Sequence, residues 1–262
     1  MKTKITIIIV SWNVRELLTE CLKSIFNQPL VASGAVEVFV VDNASGDGST
    51  EMVKNNFSEV NLIANQENLG FAKANNQALK RAKGEYILIL NPDTKLPSNS
   101  LAQALEFMTN RQTIGIMGCQ LLNSDGSVQP SIRRLPTWWP IFLLLIKAPK
   151  IFKNIKAVNH YLATDFDYST EQEVEQVMGA FMLIKKEVFD KVGLFDEKFF
   201  IWFEEVDLCR RVRQAGYKIW YTPNLKIIHY GGASFTQQKL IKKQWLFFKS
   251  AWYYFRKKGV SS

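Results

Sequence analysis

Apolar positions in the first 120 residues fall into short continuous runs that alternate with stretches of helical spacing. Residues 4–10 form a β-branched run and predict a strand. Over residues 14–27 the apolar side chains Leu17, Leu18, Cys21, Leu22, Ile25 and Phe26 recur along one helix face. Residues 36–41 predict a second buried strand, and the polar loop 42–49 can cap the next helix through Ser49 or Asp47. A short strand at 61–64, a helix from Gly70 through Ala82, a strand at 85–90, a helix at 101–109 and a strand at 114–118 follow. Strands alternating with helices in this way predict an α/β fold with a parallel sheet and right-handed crossovers.

The rhythm breaks at 124–172. Asp125-Gly126 marks a hairpin turn, and an apolar, lysine-flanked stretch follows Trp138-Trp139. This segment reads as an insertion over the carboxyl edge of the sheet. The pattern resumes with a strand over 178–184, where Gly179 and Ala180 predict a close backbone approach. It continues with a helical turn at 186–192 ended by Gly193, a helix at 204–215 with Gly216 past its end, and short strands at 218–221 and 226–229.

Composition narrows the class. Apolar residues at 47% are ample for a core, and three scattered cysteines fit neither a disulfide framework nor a metal site. The apolar run after Lys2 and Lys4 is too short for a signal peptide, and no apolar stretch reaches the roughly 20 residues of a membrane span. A cytoplasmic chain is the expectation. The net charge of +9 is unevenly placed: residues 208–262 carry 12 Lys or Arg and no acid, and the rest holds 21 basic against 24 acidic residues. A basic tail suits nucleic acid, anionic lipid or a phosphorylated substrate.

Candidate chemistry gathers at the predicted strand ends. The run 87–90 ends at Asn91-Pro92-Asp93, where Pro92 stops the pairing and leaves Asp93 at the carboxyl end of a strand. A carboxylate there can hold a hard cation, and the cation a diphosphate; the alternative is a plain turn. Asp42 ends the second strand, where it can accept hydrogen bonds from a nucleobase or ribose; the alternative is helix capping by the loop 42–49. Gly70 opens a helix whose free N–H groups favour anions.

Six stretches in order resemble the family 2 inverting glycosyltransferases of GT-A fold, the bacterial rhamnosyltransferase-like branch in particular. They are Ser11-Trp12-Asn13, Val41-Asp42-Asn43-Ala44-Ser45, the segment 68–76 beginning Asn68-Leu69-Gly70-Phe71, Asn91-Pro92-Asp93, the segment 199–211 with Phe203-Glu204-Glu205-Val206-Asp207, and the segment from His229-Tyr230-Gly231-Gly232 to Ser234. The resemblance implies a GT-A (Rossmann-like) mixed, mostly parallel sheet flanked by helices over residues 1–235. Its donor half is about 1–120 and its acceptor half about 121–235; residues 236–262 form a basic, aromatic, amphipathic helical tail. It also implies site roles. Asp42 would read the donor base with Trp12 beside it; Val10, Asn43, Asn68, Gly70, Phe71, Lys73, Asn91 and Asn75 or Asn76 would face the donor. Asp93 matches the last acid of a degenerate DXD signature and His229 a second ligand, for Mg²⁺ or Mn²⁺. Glu205 matches the general base, one methylene longer than the family's aspartate, with Glu204 as the fallback. Asp207 would anchor its helix through Arg210 or Arg211.

The implied activity is inverting transfer from a nucleotide sugar, dTDP-rhamnose first and UDP-sugars behind, to a saccharide or lipid-linked acceptor in surface polysaccharide synthesis. The alternatives are a UDP-sugar transferase and a catalytically weak scaffold that binds nucleotide sugars. Tail residues Ile241, Trp245, Phe248, Trp252 and Phe255 recur at helical spacing among Lys and Arg. That pattern reads as a peripheral contact with the inner face of the cytoplasmic membrane or as packing on the core. No nucleic-acid motif accompanies the charge.

Overall fold

The structure, a computed structural model, describes residues 3–150, 152, 154–231 and 240–257. Its strands are β1 (Ile5–Ser11), β2 (Val36–Asp42), β3 (Asn61–Ala64), β4 (Tyr86–Leu90), β5 (Thr94–Lys95), β6 (Ile114–Leu122), β7 (Gln172–Glu173), β8 (Phe181–Lys185) and β9 (Lys218–His229). The helices are α1 (Arg15–Phe26), α2 (Pro29–Ala32), α3 (Ser49–Asn56), α4 (Phe71–Leu79), α5 (Ser100–Thr109), α6 (Trp138–Leu145), α7 (Lys156–Tyr161), α8 (Lys186–Val192), α9 (Glu204–Gln214) and α10 (Leu240–Arg256). One mixed sheet runs β3-β2-β1-β4-β8-β6-β9-β5, with β7 also on β9.

The N-terminal half of the sheet is parallel because each strand returns through a helix. Alternation along β1 divides the core. Ile5, Ile7 and Ile9 pack with Leu18, Leu22 and Ile25 of α1 and Leu101 of α5 on one face. Ile8 packs with Ala74 and Ala78 of α4 and Leu208 and Val212 of α9 on the other. Each fully buried branched side chain contributes about 1.5–3 kcal/mol. Runs apolar on both faces, as in β1 and β4, are what such a two-sided sheet requires.

Strand direction builds the site. The carboxyl ends of β1, β2 and β4 share one edge, and β8, antiparallel to β4, begins at that edge. β9 runs parallel to β6 and ends there with His229. The two-residue β5 then pairs Thr94 with His229, and the Tyr230 N–H donates to the Asp93 carbonyl at 2.9 Å. Asp93 and His229, far apart in the chain, are thereby held side by side.

Several elements differ from the sequence reading. β8 enters antiparallel and starts only at Phe181; Met178, Gly179 and Ala180 stay outside the ladder. The predicted close backbone approach is absent at Gly179, where an added Cβ would meet only the Phe71 ring at 3.6 Å. The strands predicted at 218–221 and 226–229 are one strand, β9. Its register against β6 jumps from Thr222 to Lys226 because Pro223, which has no N–H, is bulged out with Asn224 and Leu225. β6 extends beyond the predicted 118 to Leu122, and α4 ends at Leu79 in tightened turns rather than at Ala82. Loop 42–49 caps α3 through Asp47, whose Oδ1 accepts from the Ser49 N–H at 3.0 Å, although Gly48 occupies the cap position. The insertion lies on the sheet at both its ends, through Gln129 and through Phe166 and Tyr168. Ile141 of α6 instead joins Phe199, Phe203, Val206 and, from α10, Ala251 and Tyr254 in a third apolar cluster.

α10 packs on the core, but of the stripe the spacing suggested only Phe255 takes part among the described side chains. Ala251 and Tyr254 are buried and Phe247 packs beside them, while Trp245, Phe248 and Trp252 stand exposed. The helix is apolar on two sides, so periodicity alone does not choose between them. Ile241 lacks a described side chain, and Gly232, Ala233, Ser234, Lys239 and Lys258 lie outside the described residues.

Candidate active site

The His229 imidazole is oriented by a directional chain of hydrogen bonds. Asp125 Oδ1 accepts from the Ser127 hydroxyl at 2.6 Å, and Asn123 Nδ2 donates to Ser127 Oγ at 2.9 Å. Gln129 Nε2 donates to Asn123 Oδ1 at 3.1 Å, so Gln129 Oε1 is left to accept from His229 Nδ1 at 2.7 Å. A carboxylate that can only accept sets the direction of every link. Nδ1 is therefore the donor in this bond, and Nε2 lies 3.3 Å from Asp93 Oδ1 and 3.3 Å from Asn91 Nδ2. A carboxylate and an imidazole nitrogen meeting in a buried corner are a pair that a cation can bridge. The donor set, one carboxylate and one imidazole with an acceptor fixing the far nitrogen, fits Mg²⁺ or Mn²⁺ that takes its remaining ligands from water and substrate oxygens. Among the described residues no group of three or more His, Cys, Asp or Glu side chains is gathered for a metal.

Opposite this pair lies the first turn of α9. Trp202 and Phe203 both adopt left-handed backbone conformations (φ 64° and 67°), each costing about 1 kcal/mol or more in a non-glycine residue. The turn is held by α10: Ser250 Oγ donates to the Ile201 carbonyl at 2.8 Å, and the Phe247 ring lies 5.7 Å from Trp202 and 5.4 Å from Phe203. It delivers Glu204 and Glu205 to the cavity, and each has a buried Oε2 without a hydrogen-bond partner. Burial raises the Glu204 carboxyl well above its ordinary range, and the Glu205 charge raises it further; burial also raises Glu205. Two such carboxyls at a cavity wall are suited to taking up a proton.

Asp207, one turn on, is structural. It is fully buried and binds Arg210 Nη2 at 2.8 Å, Arg211 Nε at 2.8 Å and Lys257 Nζ at 2.9 Å. Burial alone would raise its pKa, but the Lys257 hydrogen bond and the charges of Arg211 and Arg210 hold it below the ordinary aspartate value. The sequence offered Arg210 or Arg211 as its partner; it has both, and Lys257 from the tail as well.

Between these features is a cavity of about 440 Å³, an ordinary size for a small-molecule site. Val10, Trp12, Asn43, Asn68, Gly70, Phe71, Asn91, Asp93, Glu204, Glu205 and His229 all line it. Asn43 is fixed by donating to the Gly70 carbonyl at 3.2 Å and accepting from Asn65 at 3.0 Å. Gly70 has φ +80°, and a Cβ there would lie 2.3 Å from the Phe200 carbonyl oxygen, so the opening of α4 and the turn before α9 touch backbone to backbone. The Phe71 N–H donates to that carbonyl at 2.8 Å. The first N–H of α4 thus serves the turn and is not free for an anion.

The remaining expected donor contacts stand apart. Asp42 does not line the cavity; its Oδ2 accepts from the Ser45 N–H and the Thr50 hydroxyl, closing the loop after β2. Asn75 is buried and donates to the Phe71 carbonyl, and Asn76 binds the Phe195 carbonyl and Glu197. Lys73 is exposed on the outer face of α4, away from the cavity lining.

Residues 6–193 match the model of glycosyl transferase family 2. The chain belongs to this family. It is similar to the N-acetylglucosaminyl-diphospho-decaprenol L-rhamnosyltransferase of Mycobacterium tuberculosis, with 27% identity over 212 residues, 77% of this chain and 68% of that protein. It is also similar to rhamnosyltransferase WbbL of Escherichia coli, with 27% identity over 172 residues, 62% of this chain and 61% of the relative. Among solved structures it resembles a Pyrobaculum calidifontis mannosyltransferase in complex with GDP-Man and Mn²⁺. That match has a TM-score of 0.61 and 21% identity, covers 88% of this chain and spans 57% of the other, and shows the GT-A-like fold.

This family 2 glycosyltransferase also has cavity residues that motif reading missed. Gln129 lines the cavity from the hairpin after β6, beside Met178, Gly179 and Ala180 at the start of β8. Gln129 is 100 residues from His229, beyond any spacing rule. The one signal for it was the Asp125-Gly126 turn, which folds the chain back so that the Gln129 N–H meets the Leu121 carbonyl at 2.8 Å.

Proposed function

We propose that this chain transfers a sugar with inversion from a nucleotide-activated donor, dTDP-rhamnose first, to a saccharide or lipid-linked acceptor in surface polysaccharide synthesis. The observation that carries the reading is that Glu204 and Glu205 face, with unpartnered buried oxygens, the same cavity that Asp93 and His229 line. The rhamnose donor and the lipid-linked acceptor are supported by the names of the two rhamnosyltransferase relatives. The cation is supported by the juxtaposed Asp93 carboxylate and His229 imidazole and by the Mn²⁺ in the mannosyltransferase complex.

Glu205 accepts the proton of the acceptor hydroxyl, and that oxygen attacks the anomeric carbon from the face opposite the diphosphate. The new glycosidic C–O bond forms as the bond to the diphosphate oxygen breaks, leaving a nucleoside diphosphate that carries the electron pair. A divalent cation, when bound, stabilises that charge. Asp93 and His229 Nε2 would hold it, Gln129 orients the imidazole, and Asn43, Trp12 and Phe71 supply polar and aromatic walls for the nucleotide. Burial and mutual repulsion raise this pair of carboxyls, Glu204 and Glu205, which favours a single negative charge at the cavity wall. The enzyme works in the cytoplasm at the periphery of the membrane's inner face.

The test is a panel of dTDP-rhamnose, UDP-galactose and UDP-N-acetylglucosamine with Mn²⁺, read by thermal stabilisation. The largest shift is expected for dTDP-rhamnose. A larger shift with a UDP-sugar would move the donor assignment to uridine, and no shift with any of the three would remove the donor-site reading.

A further inference from the structure

Eight of the ten large apolar side chains that stand exposed among the described residues lie on α6, the turn after it, or α10. Six of their rings fall in two groups on these neighbouring elements, a pair on α6 and a run of four that crosses from α6 to α10. Phe142 stacks on Trp139 (5.7 Å), and Trp138 meets Trp252 edge-on across the two helices (6.0 Å). From Trp252 the run continues through Phe248 (6.3 Å) to Trp245 (6.1 Å) as a stacked ladder. Fractions exposed run from 37% at Trp138 to 62% at Trp245. At about 200 Å² per ring, the patch offers on the order of 500 Å² of apolar surface, the upper end for a monomer. Folding does not require it, because the other side of α10 already packs Phe247, Ala251 and Tyr254 against the core.

Charge identifies the occupant. Residues 126–164 carry six Lys or Arg and residues 208–262 carry 12, with no acid in either segment. Lys147, Lys249 and Arg256 are exposed on the same elements, and the Arg256 guanidinium lies 5.6 Å from the Trp252 ring centre. Tryptophan rings edged by basic side chains are suited to the boundary between lipid headgroups and acyl chains. No helix among the described residues is long and apolar enough to cross a membrane.

We infer that the aromatic faces of α6 and α10 together dock this enzyme on an anionic lipid surface. The rings enter the headgroup boundary, and Lys147, Lys249 and Arg256 meet lipid phosphates. The inner side of α10 holds the turn that carries Glu204 and Glu205, so the docked helix also fixes the base-bearing turn near the lipid. That last consequence rests on the transferase reading; the docking does not.

Flotation of the full chain with vesicles tests it without donor or acceptor. Binding is expected to vesicles of equal parts phosphatidylglycerol and phosphatidylcholine, about tenfold or more stronger than to phosphatidylcholine alone, and to weaken with salt. The double variant Trp139→Ser/Trp245→Ser removes the most exposed tryptophan of each helix. It is expected to lose about tenfold or more in binding while keeping the parent's melting temperature and its donor turnover in solution. Absence of flotation with either vesicle, or equal flotation of parent and variant, overturns the proposal. A concentration-dependent dimer of the parent that the variant loses overturns it too, by giving the patch to a second copy.

Discussion

Replacing Asp207 by Asn removes a buried charge from three cations at once. The carboxylate is fully buried and accepts from Arg210, Arg211 and Lys257 at 2.8, 2.8 and 2.9 Å. Breaking such a buried pair from one side costs roughly 3–5 kcal/mol. Arg211 and Lys257 keep 17% and 24% of their side chains in contact with solvent, which recovers part of that, so about 3 kcal/mol is expected. For a chain of this size the melting temperature should fall by about 6–12 °C at neutral pH. The Asp207 pKa is depressed in the folded protein, so its contribution is complete above the unfolded value of about 3.9 and disappears as pH falls through the lower folded value. The gap between parent and variant should therefore be constant from neutral pH down to about 4 and narrow below it. Thermal melts across that range, with Lys257→Met completing a double-mutant cycle, provide the assay. A loss below about 1 kcal/mol, or a gap that does not close on acidification, would refute the reasoning.

Three further outcomes follow from the site. Gly70→Ala should cost about 2–4 kcal/mol and lower donor affinity, because its Cβ would lie 2.3 Å from the Phe200 oxygen; a denaturant titration checks it. Gln129→Leu removes the acceptor that orients His229 through Nδ1 and should weaken Mn²⁺ binding about 10–100-fold in a metal titration. Turnover should fall on the acid side of a pKa above the ordinary glutamate value, since burial raises Glu205 and the base must be ionised to act; a pH profile of kcat locates that limb.

Local pattern was enough for the scaffold where burial is continuous. β1, β2 and β4 lie where their apolar runs predicted, because a strand covered on both faces reads as a nearly continuous apolar run. The site was readable as separate strand ends and one helix start, but not as an arrangement. Asp93 meets His229 only through β5, two residues long and without a signature of its own. Gln129 meets His229 directly across 100 residues of sequence, a long-range contact that periodicity does not carry. Lys73, which the family resemblance set toward the donor, is exposed and is not among the residues that line the cavity. The tail shows the same limit: α10 has two apolar stripes, and only the partners supplied by Phe203 and Ile201 select the one that packs.

The central claim is a cation-assisted transfer with Asp93 and His229 on the leaving-group side and Glu205 on the acceptor side. It is tested most directly by hydrolysis of dTDP-rhamnose with Mn²⁺, comparing the parent with Asp93→Asn and Glu205→Gln. Parent turnover that requires Mn²⁺ is predicted, with a loss of about a hundredfold or more in each variant. Glu205→Gln should retain donor-induced thermal stabilisation, while Asp93→Asn should lose its Mn²⁺-dependent part. Parental rates in both variants would contradict the account.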